Sequence, residues 1–385
     1  MTACRPSALL LPEKKWRMGK RIAVTGMAWL TALGDDLESV WRALLAGKSG
    51  LKPVPFSGRL RNELAGKAID GDAPPAERLV KIACRTIRRA LSSAGREPDD
   101  PDVQLVLGTS LGAFLDDPAA RESLSGWAVA VARELGSASP PIVVSTACSS
   151  GSDAILVGAE LIRVGAAKCC VCGGADVLTA SKRLGHTALG TMSPTQLRAF
   201  DVRHDGTLLG EGAGFMVLEP ELPVQEPIAI LRGTGSANDA TGMTVADITG
   251  LSAKYAMERS LVDADLPSSA IELINAHGSG TIMNDTTECN AFTTLFSGQD
   301  RPIVFATKGN FGHTLGATGA IEAIALVLAL SKGQVPPVYG LGQPLPEFPL
   351  PLPSSESVSC DARVGLNLTL GFGGFDTSLI FEVAR

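Results

Sequence analysis

Twice in this chain a short apolar strand runs into a turn of small and polar residues and then into a helix. The first copy is Ile142-Val143-Val144, a turn through Ser145, and a helix from Ser149 to Val164, with Cys169 to Cys172 reading as the next strand. The second is Ile303-Val304-Phe305-Ala306, a glycine-rich turn, and a helix from Gly316 to Ser331. Unbroken apolar strands alternating with helices belong to sheets covered on both faces, so the pattern predicts a parallel α/β architecture that is internally duplicated. Arg21 to Gly26 and Val103 to Leu107 read as further buried strands. Leu37–Leu45 reads as a short helix, and Glu77–Ala94 as a longer one with Leu79, Ile82, Ala83, Ile87 and Leu91 at helical spacing. Residues 52–76 and the proline-rich run 344–353 read as loops. Pro220–Pro227, acidic and proline-bearing, reads as the seam between halves. Residues 1–19 read as a poorly ordered extension, leaving halves at 20–220 and 228–385.

Composition removes several function classes. Of 385 residues, 45% are apolar, which is ample for a large core and excludes disorder. A net charge of −6 argues against a nucleic-acid binder, which carries a basic excess or stripe. The longest apolar stretch, Gly316–Leu330, carries Glu322 and falls short of the roughly 20 residues of a membrane span, so no membrane partner is expected. The 8 cysteines show no framework spacing, which fits free thiols in a reducing, cytoplasmic setting. Cys169 and Cys172 form a CxxC, but no second pair stands at zinc spacing, so a buried strand is the better reading and no metal is expected.

The chemistry gathers in three places. Cys148, in Thr146-Ala147-Cys148-Ser149-Ser150-Gly151, lies where a strand meets a helix N-terminus, a setting that favours a thiolate. His277, in Asn275-Ala276-His277-Gly278-Ser279-Gly280-Thr281, and His313, in the run Lys308 to Gly319, both follow apolar strands. Ligands of parallel α/β folds collect at such strand ends. One thiol and two imidazoles suit thioester chemistry, with a nucleophile and donors for a developing enolate or oxyanion.

These segments resemble the active-site motifs of the β-ketoacyl-acyl-carrier-protein synthases. Further likeness lies in Val24-Thr25-Gly26-Met27 with Leu45 to Gly50, in Phe200-Asp201 with Asp205-Gly206 and Gly210 to Gly214, in Asp285 and Glu288, and in Gly371-Phe372-Gly373-Gly374. The resemblance implies a thiolase-like fold, two duplicated halves stacked as five αβαβα layers, usually dimeric. It implies that Cys148 takes an acyl chain from an acyl carrier protein. His277 and His313 then support decarboxylation of malonyl-carrier protein, and the carbanion attacks the thioester in a Claisen condensation. It further implies an oxyanion hole from the N–H groups of Cys148 and Phe372, a gate at Phe372, pantetheine contacts at Ser279 and Thr281, and supporting roles for Lys308, paired with Glu288, and for Asp285. Read alone, Asp285 and Glu288 are equally exposed helix-start charges. No cofactor is implied.

The partner is an acyl carrier protein, with a second copy or a related ketosynthase-like subunit completing a homodimer or heterodimer. Carrier proteins are acidic, so a local basic patch is expected, for instance around Arg183, Arg198 or Lys254. The alternative is a non-condensing partner resembling a chain-length factor, and the presence of Cys148, His277, His313 and Lys308 speaks against it. A thiolase acting on coenzyme A would have one catalytic histidine and a second cysteine. The chain departs from the family in a short segment between Gly108 and Cys148, in Ser279 for Thr, and in Phe375-Asp376 where Asn is common at the second position. These departures lean toward a specialised polyketide or polyene enzyme. His186 and His204 read as structural.

Overall fold

The computed structural model describes residues 21–384 apart from 70, 72, 118–122, 223–225, 297, 299 and 300. The expected extension at 1–19 and the centre of the expected seam lie outside the described residues. The first half runs β1 (Ile22–Leu30), α1 (Leu37–Leu45), a ribbon of β2 (Leu51–Pro53) and β3 (Leu64–Gly66), α2 (Pro75–Ser93), β4 (Val103–Gly108), α3 (Gly126–Leu135), β5 (Ile142–Val144), α4 (Ser150–Arg163), β6 (Cys169–Asp176), α5 (Ala180–Ala188) and β7 (Gly212–Pro220). The second runs β8 (Ala229–Asn238), α6 (Leu251–Ala264), β9 (Leu273–Asn275), α7 (Ile282–Leu295), β10 (Ile303–Phe305), α8 (Lys308–Phe311), α9 (Thr318–Lys332), β11 (Gln334–Val335), β12 (Val358–Ser359), β13 (Val364–Gly371) and β14 (Phe375–Glu382).

The duplication expected from sequence is written into the sheet. From its outer edge the first half reads β5-β4-β6-β7-β1, and the second reads β10-β9-β13-β14-β8. Setting the ribbons aside, each half therefore places its third strand outermost, then its second, fourth, fifth and first. The halves join where β1 pairs antiparallel with β8, from Ile22↔Leu231 to Val24↔Ala229. Helices α2 and α3 cover one outer face, α6 and α7 the other, and α4 and α9 pack together between the two halves of the sheet. This is the five-layered thiolase-like arrangement.

Several local readings change. The sheet is mixed, not parallel: β7 runs against β1 and β6, and β14 against β8 and β13. The tight turn from β13 to β14 permits only an antiparallel pair, since a parallel return needs a long crossover. The first strand continues past Gly26 to Leu30. That glycine ends nothing; a Cβ there would stand 2.3 Å from Ala90 O, so it is where α2 presses on the sheet. The run 344–353 is no free surface loop: Leu345 and Leu350 are buried, and the Val304 N–H donates to Pro351 O at 2.9 Å. Residues 52–76 contain part of the small ribbon. The CxxC is a buried strand, with Cys169, Cys170 and Cys172 all fully buried in β6.

Every residue from Thr318 to Leu330 in α9 is buried. The stretch Leu315–Lys332 has a membrane span's length and a mean hydropathy of 1.5, but 89% of that window is buried within the fold. Its apolar surface is thus used by the two halves of the sheet, which it contacts through β7 and β13.

Candidate active site

The site is assembled where β5, β9, β10 and β13 end. After β5 the chain turns sharply, with Ala147 in the left-handed region (φ 51°) and a single 3-10 turn over Ala147–Ser149 before α4. Such a conformation costs a non-glycine residue about 1–2 kcal/mol. Side chains pin the turn: the Thr146 N–H donates to Ser150 Oγ at 3.0 Å, and the Thr146 and Ser149 hydroxyls donate to Asp153 Oδ2 at 2.6 and 3.2 Å. The second half repeats the device at Leu315–Ala317, with Leu315 at φ 49°. Cys148 is thereby held, buried, at the start of α4.

The three residues singled out from sequence meet. His313 Nε2 lies 3.1 Å from Cys148 Sγ. The His277 and His313 rings stand 5.3 Å apart, at 90° to one another. His277 Nδ1 accepts from the Leu370 N–H and from Lys308 Nζ, each at 3.3 Å. With Nδ1 occupied as acceptor, the proton of the neutral ring sits on Nε2, which is then a donor. Burial, helped by the charge of Lys308, holds both imidazoles well below their usual range, so both are neutral near pH 7. Burial also pushes the Cys148 thiol up to about 11, against the pull of Lys308 and of the Phe372 N–H directed at the sulfur. The resting form is a thiol, not the thiolate expected from the helix N-terminus.

Lys308 is buried and pairs with Glu322 at 2.5 Å, not with Glu288 as the sequence suggested. Its ammonium also donates to the His277 carbonyl oxygen. Glu288 is buried beneath the His277 loop, where its two oxygens accept the N–H groups of His277 (2.7 Å) and Gly278 (2.8 Å). Asp285, equally buried, accepts the N–H groups of Phe200 at 2.7 Å and Gly280 at 3.1 Å, with His204 Nδ1 at 2.9 Å. Neither is an exposed helix-start charge. They fix the loop that carries His277. Burial pushes Glu288 up to about 8 and Glu322 to about 7.

A pocket of about 250 Å³ opens onto Cys148, with His277, His313, Ser279, Thr281 and Phe372 in its wall. The Ser279 and Thr281 hydroxyls are 2.9 Å apart, and Asn284 Nδ2 donates to Ser279 at 3.0 Å. Phe372 lies in the turn before β14, where Gly374 (φ 78°) approaches Asp239 so closely that a Cβ would stand 1.8 Å from its carbonyl oxygen. Asp376 follows, buried, its carboxyl pushed by burial up to about 7. A fraction of it is therefore protonated near neutral pH and can donate as an asparagine would. Arg183 is only 4% exposed and bonded to the Val54 and Glu63 carbonyls, so it belongs to no surface patch.

Sequence reasoning missed three residues. Glu322 signalled itself as the lone charge in an apolar helix. Asp153, whose Oδ1 also accepts from Thr377, ties the Cys148 turn to β14. His186, read as structural, stacks on Phe372 and lines the pocket. Among the described residues no cluster of three or more His, Cys, Asp or Glu is placed to hold a metal.

A buried thiol in contact with one neutral imidazole, beside a second whose donor is oriented by its surroundings, is suited to hold an acyl group as a thioester and to stabilise a neighbouring oxyanion. The comparisons with known proteins agree. Residues 19–223 match the N-terminal domain of β-ketoacyl synthases and residues 228–341 the C-terminal domain. The chain is 29% identical to a 3-oxoacyl-[acyl-carrier-protein] synthase 2 from a Synechocystis species, covering 94% of this chain and 98% of the relative. Among solved structures, the ishigamide ketosynthase/chain length factor matches with a TM-score of 0.87 at 28% identity, covering 95% of this chain and 100% of that one. A β-ketoacyl synthase from Burkholderia phymatum matches at 0.82 and 28%, with the same coverage. This chain belongs to the β-ketoacyl synthase family, the acyl-transferring condensing enzymes.

Proposed function

We propose that Cys148 accepts an acyl group from an acyl carrier protein and that the site then condenses it with malonyl-carrier protein to give a β-ketoacyl product. The observation that carries this reading is the 3.1 Å contact between Cys148 Sγ and His313 Nε2 with His277 packed against the same ring. In the first step the sulfur forms a bond to the thioester carbon as its proton passes to His313 Nε2, the carbon–sulfur bond to the carrier breaks, and the carrier thiolate takes a proton from water, leaving His313 protonated. The N–H groups of Cys148 and Phe372 face the oxyanion; the Phe372 N–H already points at the sulfur. In the second step the malonyl carboxylate leaves as CO₂. His277 Nε2–H and His313 hydrogen-bond the thioester oxygen of the resulting enolate. Its carbon bonds to the acyl carbon on Cys148, the carbon–sulfur bond breaks, and the departing thiolate takes back the proton held on His313, which restores the thiol.

Lys308 keeps His277 oriented through Nδ1, while Glu322 balances its charge. Ser279 and Thr281 hydrogen-bond the pantetheine arm, and Phe372 gates the acyl pocket. The halves are residues 20–220 and 228–385. The partner is a carrier protein, a reading supported by the name of the Synechocystis relative, and the working unit is a homodimer or a heterodimer with a related subunit. The described cysteines are all free, which supports a reducing, cytoplasmic setting. The pathway class is fatty-acid or polyketide assembly. The non-condensing alternative is not favoured, because thiol, both imidazoles and Lys308 are present together.

The test is condensation of acyl- and malonyl-carrier protein in vitro. Wild type yields β-ketoacyl-carrier protein and CO₂, while Cys148→Ala folds and yields no condensation product. Condensation surviving in Cys148→Ala would overturn the nucleophile assignment.

A further inference from the structure

A third imidazole shares the pocket, and the mechanism above does not use it. His186 lies in the last turn of α5 and lines the same cavity as Cys148 and Phe372. Its ring stacks on the Phe372 ring at 5.8 Å and 16°. Its Nδ1 is 2.8 Å from Thr191 Oγ1, and that hydroxyl is also 3.2 Å from the His186 carbonyl oxygen. A carbonyl only accepts, so both contacts are made when the hydroxyl donates to it and receives the proton of Nδ1. This leaves Nε2 as a bare acceptor, bonded to no described residue. Burial pushes the ring down to about 4, so it stays neutral and keeps that lone pair near pH 7. Leu189, Leu370 and Phe372 supply apolar surface to the same cavity as Cys148.

An acceptor stacked on the Phe372 ring discriminates between chains that carry a hydrogen-bond donor and chains that do not. We infer that His186 is a specificity-determining residue of the acyl pocket, whose Nε2 receives the hydroxyl of a hydroxyacyl chain close to the thioester. An alkyl chain in the same place strips water from Nε2 and returns nothing, and an unpaired polar group in a binding site is what penalises the wrong substrate.

This inference rests on the proposed condensing activity, and the experiment separates the two. Acylation and condensation are measured with a 3-hydroxyacyl and a saturated acyl donor of equal length on the same carrier protein. The readout is the ratio of their kcat/KM values within each variant, so a general loss of activity cancels. Wild type is expected to favour the hydroxyacyl donor at least fivefold. In His186→Phe and His186→Leu the ratio falls to about one. His186→Gln, which restores an acceptor, recovers part of the preference and guards against a variant that fails to fold. A wild-type ratio near one, or a ratio unchanged in the Phe and Leu variants, overturns the inference while leaving condensation intact. Failure of wild type to condense either donor overturns the proposed activity instead.

Discussion

Replacing Glu322 by Gln isolates the charge balance beneath the two imidazoles. Lys308 and Glu322 side chains are each 1% exposed, and their contact is 2.5 Å. Removing the carboxylate leaves an ammonium whose partners are the neutral His277 carbonyl and ring nitrogen. Breaking one side of such a buried pair costs about 3–5 kcal/mol, because the remaining charge has lost both water and counter-ion. The substitution has a second effect. The Glu322 carboxylate is one of the charges that push the Cys148 thiol up, so thiol alkylation at a fixed pH is faster in the variant. Urea unfolding at pH 8, where Glu322 is ionised, measures the first effect, and the pH profile of iodoacetamide labelling at Cys148 the second. The double variant Glu322→Gln with Lys308→Met removes the orphaned charge and is expected to regain most of the stability. A Glu322→Gln protein within about 1 kcal/mol of wild type, with the double variant no more stable, would refute the reasoning, since it lies well below the range for a broken buried pair.

Further outcomes follow from the same geometry. His277→Ala is expected to lower malonyl decarboxylation by roughly 10²–10³-fold, the usual loss for one oxyanion donor, while Cys148 still becomes acylated through His313; separate assays of CO₂ release and of acyl-enzyme decide it, and parallel loss of both contradicts it. Glu288 near 8, and Glu322 and Asp376 near 7, sit above their unfolded values near 4. The folded chain therefore holds protons that the unfolded chain has released. The stability they contribute is full below about pH 4 and is lost as pH rises from there, at about 1.4 kcal/mol per unit for each proton, until the groups titrate at 7 to 8. Urea unfolding at pH 6 and 8 tests the sign, and Glu288→Gln should flatten the slope. Gly374→Ala cannot keep φ 78° with Asp239 O 1.8 Å from the new Cβ; far-UV dichroism should stay near wild type while acylation of Cys148 collapses.

Much of this arrangement is legible in the amino-acid order because it is local. The strand, turn and helix around Cys148 follow from an apolar run, a knot of Ser and Gly, and helical spacing, and the repeat at 303–331 exposes the duplication. Strand direction was less accessible: continuous apolar runs report burial on two faces, and β7, β8 and β14 are as buried as parallel strands. Gly26 reads as a terminator from sequence, yet its role is set by the distant Ala90 carbonyl. The partner of Lys308 was misjudged for the same reason. Glu288 lies in a motif and Glu322 does not, but the helix α9 brings Glu322 to the ammonium while Glu288 turns to the backbone of His277 and Gly278. His186 carries no motif, and its place against Phe372 depends on how α5 packs.

The chemistry turns on which sulfur carries the chain. Wild-type protein mixed with acyl-carrier protein and analysed by intact mass and peptide mapping should show one acyl group, on the peptide containing Cys148 and on no other cysteine. An unmodified protein, or an acyl group on another thiol, contradicts it.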